Sequence, residues 1–270
     1  MERPCICWTE IRRLYRSESM IKGYIITMVN NHESTLATRQ VISSIKETQS
    51  EIDPIIFPAT TPDTLAEDLR KIKSFDATNL QYTYPQQGER LDIATGLKLR
   101  AYETGNIKNR IACMVSHMRL WEECIDLKKD IVILEHDALF TNKFVHKEGY
   151  MGNVIGLNDP RGMTRKSGVF HDLISKQIGI QEVPWVDNTK DYPQGLAGNS
   201  AYTMTPLIAS KLLYSVEEFG MWPNDALMCK QLFPQLRVVY PYYTTIQKGL
   251  RSTTTSVSYT HLTLPTILLV

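Results

Sequence analysis

The chain has 270 residues, of which 43% are hydrophobic and 22% are charged, and its formal net charge is +1 at pH 7. This composition is typical of a globular protein with a large core. A net charge this small excludes a global basic field for nucleic acid or an anionic membrane. No apolar run approaches the ~20 residues that span a bilayer, and the first residues lack the apolar core of a signal peptide. We therefore expect a cytoplasmic protein without a membrane span.

The two ends are predicted to lie outside the fold. Residues 1–19 read as an upstream extension, because "MIKGYIITMVNN" from Met20 leads directly into a first strand. Residues 257–266, "VSYTHLTLPT", are what a transposase sequencing adapter encodes in one reading frame, so 257–270 are expected to be an artefactual tail of an environmental sequence. Neither segment should contribute to a domain predicted over residues 20–256.

Strand-like and helix-like segments alternate along that domain. In chain order the predicted elements are a strand at 22–29, a helix from Ser34 to about Gln49, a strand at 53–60, a helix over 61–75, a long loop at 76–106, a helix to Leu127, and strands at 130–140 and 152–158. Such alternation favours an α/β fold with a mostly parallel central sheet. In that class, ligands bind beyond the carboxyl ends of the strands.

Five cysteines are scattered along the chain without a CxxC pair: Cys5, Cys7, Cys113, Cys124 and Cys229. An odd and unclustered set indicates reduced thiols in a cytoplasmic compartment. The spacing does not predict a disulfide framework or a zinc site.

The stretch "VILEHDALF" (132–140) carries acidic residues at the end of an apolar strand. Strand residues alternate sides, so Glu135 and Asp137 are predicted to project to one side and His136 to the other. Two like charges on one side need a cation or hydrogen-bond donors between them. An oxygen-rich pair suits Mg²⁺ or Mn²⁺. The alternatives are a solvated strand-to-loop junction for the acids and a hydrogen-bonded buried histidine for His136.

Three blocks of the sequence resemble the family 25 glycosyltransferases, the lipooligosaccharide galactosyltransferase group. The first is "IACMVSHMRLWEECIDLKKDIVILEHDALF" (111–140), where the family has a Ser-His pair on a helix and then Glu-Asp-Asp at a strand end. His136 replaces the middle acid. "GLAGNSAYTMTPLIASKLL" (195–213) and "WPNDALM" (222–228) are similar to two further family blocks.

The resemblance implies a single Rossmann-like domain of the GT-A type that binds a nucleotide-sugar, here expected to be a UDP-hexose. It also implies a metal held through the acid-x-acid motif. On that mapping Asp137 is a metal ligand, and Glu135 binds the metal or the donor. Ser116 and His117 are candidates for nucleotide contacts. Their side chains point about 100° apart on a helix, so a direct nucleophile–base pair is excluded.

The remaining candidates come from their positions near the expected cleft. Asp225, at a Pro-Asn-Asp helix entrance, is the candidate general base for the acceptor hydroxyl, with Asp187 as the next choice. The alternative for Asp225 is a helix cap. The polar turn Gly198, Asn199 and Ser200 is a candidate for sugar contacts, and Asn30 and Arg39 are candidates for nucleoside and phosphate contacts. Each of these residues is equally compatible with an ordinary turn or surface.

The acceptor is left open between two classes. The resemblance favours a cell-surface saccharide, as in lipopolysaccharide biosynthesis. A virus-borne enzyme that glycosylates hydroxymethylated bases in DNA is the other class, and the basic cluster Arg161, Arg165 and Lys166 is where phosphates would bind. A catalytically degenerate sugar-nucleotide binder and a nucleotidyltransferase are the alternative functions. The sequence does not indicate an oligomeric state.

Overall fold

The computed structural model describes residues 20–74, 89–100, 106–146, 153–161, 166–186 and 193–250. The two predicted terminal extensions, together with Asp187 and Arg165, lie outside these ranges. Within them, no helix combines the length and the apolar character that crossing a membrane requires. Cys113, Cys124 and Cys229 are free thiols.

Six helices and eleven strands follow one another through the described ranges. The helices are α1 His32–Glu47, α2 Leu65–Arg70, α3 Ile107–Leu127, α4 Ser167–Ile174, α5 Pro206–Phe219 and α6 Asn224–Leu227. The strands are β1 Ile21–Thr27, β2 Ile52–Pro58, β3 Glu89–Leu91, β4 Lys98–Arg100, β5 Ile131–Glu135, β6 Ala138–Phe140, β7 Val154–Gly156, β8 Gly179–Glu182, β9 Ala201–Met204, β10 Leu236–Tyr240 and β11 Thr244–Ile246. The predicted α/β class is confirmed.

Seven strands form the central sheet in the order β2-β1-β5-β9-β7-β10-β8. The pairs β1–β2, β1–β5 and β7–β10 are parallel, whereas β5–β9, β7–β9 and β8–β10 are antiparallel. The prediction of a mostly parallel sheet is therefore wrong, because β9 enters the middle of the sheet in the opposite direction. The sheet is mixed, and the GT-A assignment stays a prediction.

The central strand β5 is buried on both faces, which explains its continuous apolar sequence. Ile131 and Ile133 belong to a core with α3 and α5, while Val132 and Leu134 belong to a second core with α1. The helices thus cover the sheet from both sides.

The structure revises three predicted boundaries. Helix α1 begins at His32, two residues before the predicted start at Ser34. Its cap is Asn31, whose side chain accepts a hydrogen bond from the Ser34 amide. The predicted strand over 130–140 is interrupted by a turn at 136–137 that separates β5 from β6. The predicted long loop contains the hairpin β3–β4. Short strands without a strong alternating pattern were not recognisable in the sequence.

Strand β2 lies at one edge of the seven-stranded sheet and contains two prolines. The amide of Ala59 donates to the carbonyl oxygen of Thr27 in β1. Because alternate residues of a strand face opposite neighbours, residues 53, 55 and 57 also direct their amides to β1. Pro54 and Pro58 therefore occupy positions whose amides would point away from the sheet, where proline removes no ladder bond.

Candidate active site

The candidate site lies at the carboxyl end of β5, where the strand ends at Glu135 and turns at His136 and Asp137. Strand β1 runs parallel to β5 and ends beside it, with Ile26 opposite Glu135. Strand β9 runs the other way, so that its first residues meet the last residues of β5. The amide of Glu135 donates to the carbonyl oxygen of Ser200 at 2.7 Å. Chain segments from three strands therefore converge at this point.

The turn that carries Asp137 is held in place by Gln247. The Gln247 amide donates to the Asp137 carbonyl oxygen at 2.8 Å, and its side-chain Nε2 donates to the carbonyl oxygens of His136 at 3.1 Å and Ala37 at 3.0 Å. Gln247 is itself buried. It links the turn to α1 and fixes the backbone from which the Asp137 side chain projects.

Asp137 carries an unfavourable charge in this position. Burial, and then the negative charge of Glu135, raise the pKa of Asp137 to about 7. Its Oδ1 atom is buried and has no hydrogen-bond partner among the described residues. A buried, unpartnered carboxylate oxygen beside a second carboxylate fits a hard divalent cation such as Mg²⁺ or Mn²⁺. For His136, burial lowers the pKa, and the ring is half-buried.

One face of α3 points at Glu135. Residues 110, 113 and 117 follow helical spacing, and His117 Nε2 lies 3.5 Å from Glu135 Oε1. Burial and the charges of Glu135 and Asp225 raise the pKa of the Cys113 thiol, and Arg110 opposes that shift. Cys113 nevertheless keeps partial solvent access. We call the region around Cys113, His117, Glu135 and Asp225 the cleft.

His117 is anchored by a buried polar group behind it. Its Nδ1 lies 2.7 Å from the Tyr202 hydroxyl, which also accepts a bond from Trp121 Nε1 at 3.2 Å. His117, Tyr202 and Trp121 are fully buried between α3 and β9. The His117 Nε2 atom has no hydrogen-bond partner among the described residues. The hydrogen bond to Tyr202 therefore holds the His117 ring with its Nε2 atom facing Glu135.

Asp225 lies in the first turn of α6 and is solvent-exposed. Crowding by protein atoms, and then the charge of Glu135, raise the pKa of its carboxyl group, while Arg110 opposes the shift. The charges of Glu135 and Arg110 both act on Asp225, so the three side chains lie near one another. The cap of α6 is Pro223, and no side chain caps this helix. Asp225 and Glu135 thus belong to one cleft.

The turn before β9 contributes a further group of polar atoms. Gly198 has φ +102°, in the region that favours glycine. Asn199 and Ser200 are buried, and neither Asn199 amide atom nor Ser200 Oγ has a hydrogen-bond partner among the described residues. The same is true of Asn224 Nδ2, beside Asp225. Buried polar groups are ordinarily paired, so this turn is equipped for a polar ligand.

The other candidates lie elsewhere. Ser116 is buried, accepts the Thr60 amide at 2.9 Å and donates to the Ala112 carbonyl oxygen. Asn30, in the β1–α1 turn, and Arg39, on α1, are exposed. Arg161 forms a two-pronged ion pair with Asp159. The structure does not bring Ser116, Arg39 or Arg161 into contact with the group around Glu135, and their predicted roles stay predictions.

Three contributors to the cleft were not predicted: Arg110, Cys113 and Tyr202. Helical spacing could have predicted Arg110 and Cys113, because they lie seven and four residues before His117 on the same face of the helix. Tyr202 has no such signal. It reaches His117 only because β9 pairs with β5, with Tyr202 opposite Ile133.

The family model described as "Glycosyltransferase family 25 (LPS biosynthesis protein)" matches residues 20–155, just over half of the chain. The matched range includes Cys113, His117, Glu135 and Asp137 and ends before β9 and Asp225. No curated protein matches the sequence significantly.

Proposed function

Because the chain belongs to glycosyltransferase family 25, we propose that it transfers a hexose from a nucleotide-sugar, a UDP-sugar by preference, to a hydroxyl group of a saccharide acceptor. Family membership supports glycosyltransferase activity for this chain. The donor, the sugar and the acceptor are the proposal.

The observation that carries this proposal is that Asp137 and Asp225 both lie near enough to Glu135, at the carboxyl end of β5, to feel its charge. Each of the two aspartates has its pKa raised by burial or crowding and by the charge of Glu135. Transfer from a diphosphate donor requires positive charge at the leaving group and a base at the acceptor. A group of carboxylates with raised pKa values can provide a cation site and a base.

In this scheme Glu135 and Asp137 hold Mn²⁺ or Mg²⁺, which supplies positive charge for the leaving diphosphate when it is bound. Asp225 accepts the proton of the acceptor hydroxyl, and its raised pKa favours that role. The unpartnered groups of Asn199, Ser200 and Asn224 offer hydrogen bonds to sugar hydroxyls. His117 Nε2 lies 3.5 Å from Glu135 Oε1, and the positive charge of Arg110 acts on Cys113 and Asp225.

The acceptor is proposed to be a saccharide, with a hydroxymethylated DNA base as the second candidate. The family description favours the saccharide. The Arg161 charge, which was a candidate for phosphate binding, is offset by Asp159 at 2.6 Å. A degenerate binder and a nucleotidyltransferase are the other functions that the same cleft could serve.

The test is a screen of nucleotide-sugars against a saccharide panel and hydroxymethylated DNA, read by product mass. We expect a saccharide product heavier by one hexose residue, with release of nucleoside diphosphate. Donor binding without turnover would indicate a degenerate binder, and pyrophosphate release would indicate a nucleotidyltransferase. A glycosylated DNA product would replace the saccharide acceptor by DNA. Asp225→Asn serves as the low-activity control.

A further inference from the structure

Three side chains with different donor atoms meet beside the acidic pair. The sulfur of Cys113, a ring nitrogen of His117 and a carboxylate oxygen of Glu135 all lie within 4.8 Å of one another. Cys113 and His117 are four residues apart on α3 and therefore share a face. Glu135 approaches them from the end of β5. The three ligand atoms come from two rigid elements, which fixes their separation without a loop.

His117 gives independent evidence for a ligand at this point. The residue is fully buried, yet its Nε2 atom has no hydrogen-bond partner among the described residues. The other ring nitrogen is 2.7 Å from the Tyr202 hydroxyl. In metal sites a ligating histidine is usually oriented by a hydrogen bond through the nitrogen that does not bind the metal. His117 has that arrangement, with Nε2 3.5 Å from Glu135 Oε1 and within 4.8 Å of the Cys113 sulfur.

The donor set identifies the kind of cation. Mg²⁺ and Ca²⁺ prefer oxygen ligands, whereas a sulfur, a nitrogen and an oxygen together suit Zn²⁺. We propose that Cys113, His117 and Glu135 form a Zn²⁺ site with three protein ligands and a fourth position open to the cleft. The partial solvent access of Cys113 and Glu135 leaves room for that fourth ligand. On binding, the Cys113 thiol releases its proton to solvent.

The Zn²⁺ site does not depend on the proposed sugar transfer, although the two share Glu135. Because Glu135 would bind both cations, Zn²⁺ should compete with the Mn²⁺ or Mg²⁺ donor complex, an effect that rests on the proposed function. Metal binding can be measured without any substrate. Failure of one proposal is therefore distinguishable from failure of the other.

The test titrates the full chain with Cd²⁺ as a spectroscopic probe and with Zn²⁺ by calorimetry. We expect one equivalent of Cd²⁺ to produce the ultraviolet charge-transfer band of a cadmium–thiolate bond. Cys113→Ala should abolish that band and weaken Zn²⁺ binding by more than about 100-fold, beyond what loss of an outer partner costs. The double substitution Cys5→Ala/Cys7→Ala, which leaves α3 intact, is the matched control and should keep the band.

A second measurement uses the unsubstituted protein and needs no folded variant. Bound Zn²⁺ should slow alkylation of Cys113 by iodoacetamide, read by peptide mass, while Mg²⁺ should not. The proposal is overturned if the band persists in Cys113→Ala, if the Cys5/Cys7 control loses it, or if Zn²⁺ leaves the alkylation of Cys113 unchanged.

Discussion

Asp137 is a residue whose negative charge is unfavourable in the folded chain. Its pKa rises from 3.8 to about 7 on folding, so the folded state binds its proton more tightly than the unfolded state does. Without a divalent cation, the free energy of unfolding should therefore fall as the pH rises from about 4 to about 7. Asp137→Asn should flatten this pH dependence and, by removing a cation ligand, reduce turnover strongly.

The measurement is thermal melting across that pH range in a chelator, together with turnover in Mn²⁺. Asp63→Asn, at an exposed position before α2, is the control and should change neither curve. Equal slopes for the parent and Asp137→Asn would show that Asp137 is not the residue that titrates. Wild-type turnover of Asp137→Asn in both Mn²⁺ and chelator would remove it from the cation site.

Substitution of Asp225 tests whether it is the base or only an acidic residue in the first turn of α6, whose cap is Pro223. As a base, Asp225→Asn should lower turnover by about 10²–10⁴-fold with little effect on donor affinity, because the base acts on the acceptor hydroxyl. As an acidic first-turn residue without a catalytic role, its lost charge would cost α6 at most about 1 kcal/mol, and activity would survive. Kinetics and melting temperature should be measured on the same preparation. Turnover within a few-fold of the parent would transfer the role to another acid.

At the scale of elements, the Tyr202 hydroxyl joins β9 to α3 through two buried hydrogen bonds. Tyr202→Phe would leave Trp121 Nε1 and His117 Nδ1 without their common partner in a fully buried place. An unsatisfied buried donor costs about 1–3 kcal/mol, so we expect a loss of that size in the free energy of unfolding. Urea unfolding measures it.

The control for this substitution is Tyr214→Phe, which removes a hydroxyl from an exposed tyrosine on α5. It should change the free energy of unfolding by less than about 0.5 kcal/mol. Equal effects of the two substitutions would mean that the Tyr202 hydroxyl is not important for joining α3 to β9.

Helix α6 is positioned by a close backbone approach at Gly195. A Cβ atom there would lie 2.2 Å from the carbonyl oxygen of Met228, which follows α6. Because backbone cannot move away as a side chain can, Gly195→Ala should displace α6 and with it Asp225. We expect reduced turnover and a lower melting temperature. Gly168→Ala, in α4 with no atom within 4 Å of the new Cβ, should be neutral or stabilising by up to about 1 kcal/mol.

At the scale of the whole molecule, hydrophobic patterning predicted the helices α1 and α3 and the central strand β5, because long periodic or continuous apolar segments are reliable signals. It also placed Glu135 and Asp137 at the strand end. It could not predict that β9 runs antiparallel, since strand direction depends on the path of the whole chain and leaves no local pattern in the sequence. For the same reason it missed Tyr202, whose contact with His117 is made by pairing between distant segments.

The two prolines on the outward side of β2 have a consequence for how copies of this protein behave in concentrated solution. An open sheet edge presents amide groups that can recruit a strand from another chain, and this is a common route to aggregation. Pro54 and Pro58 remove two of the outward donors of β2 without cost to its pairing with β1. Pro54→Thr/Pro58→Thr should therefore increase light scattering and thioflavin binding on prolonged incubation. Pro62→Thr, before α2 and off the edge, should not. Resistance to fibril formation would then be a property that the chain owes to two residues far from its cleft.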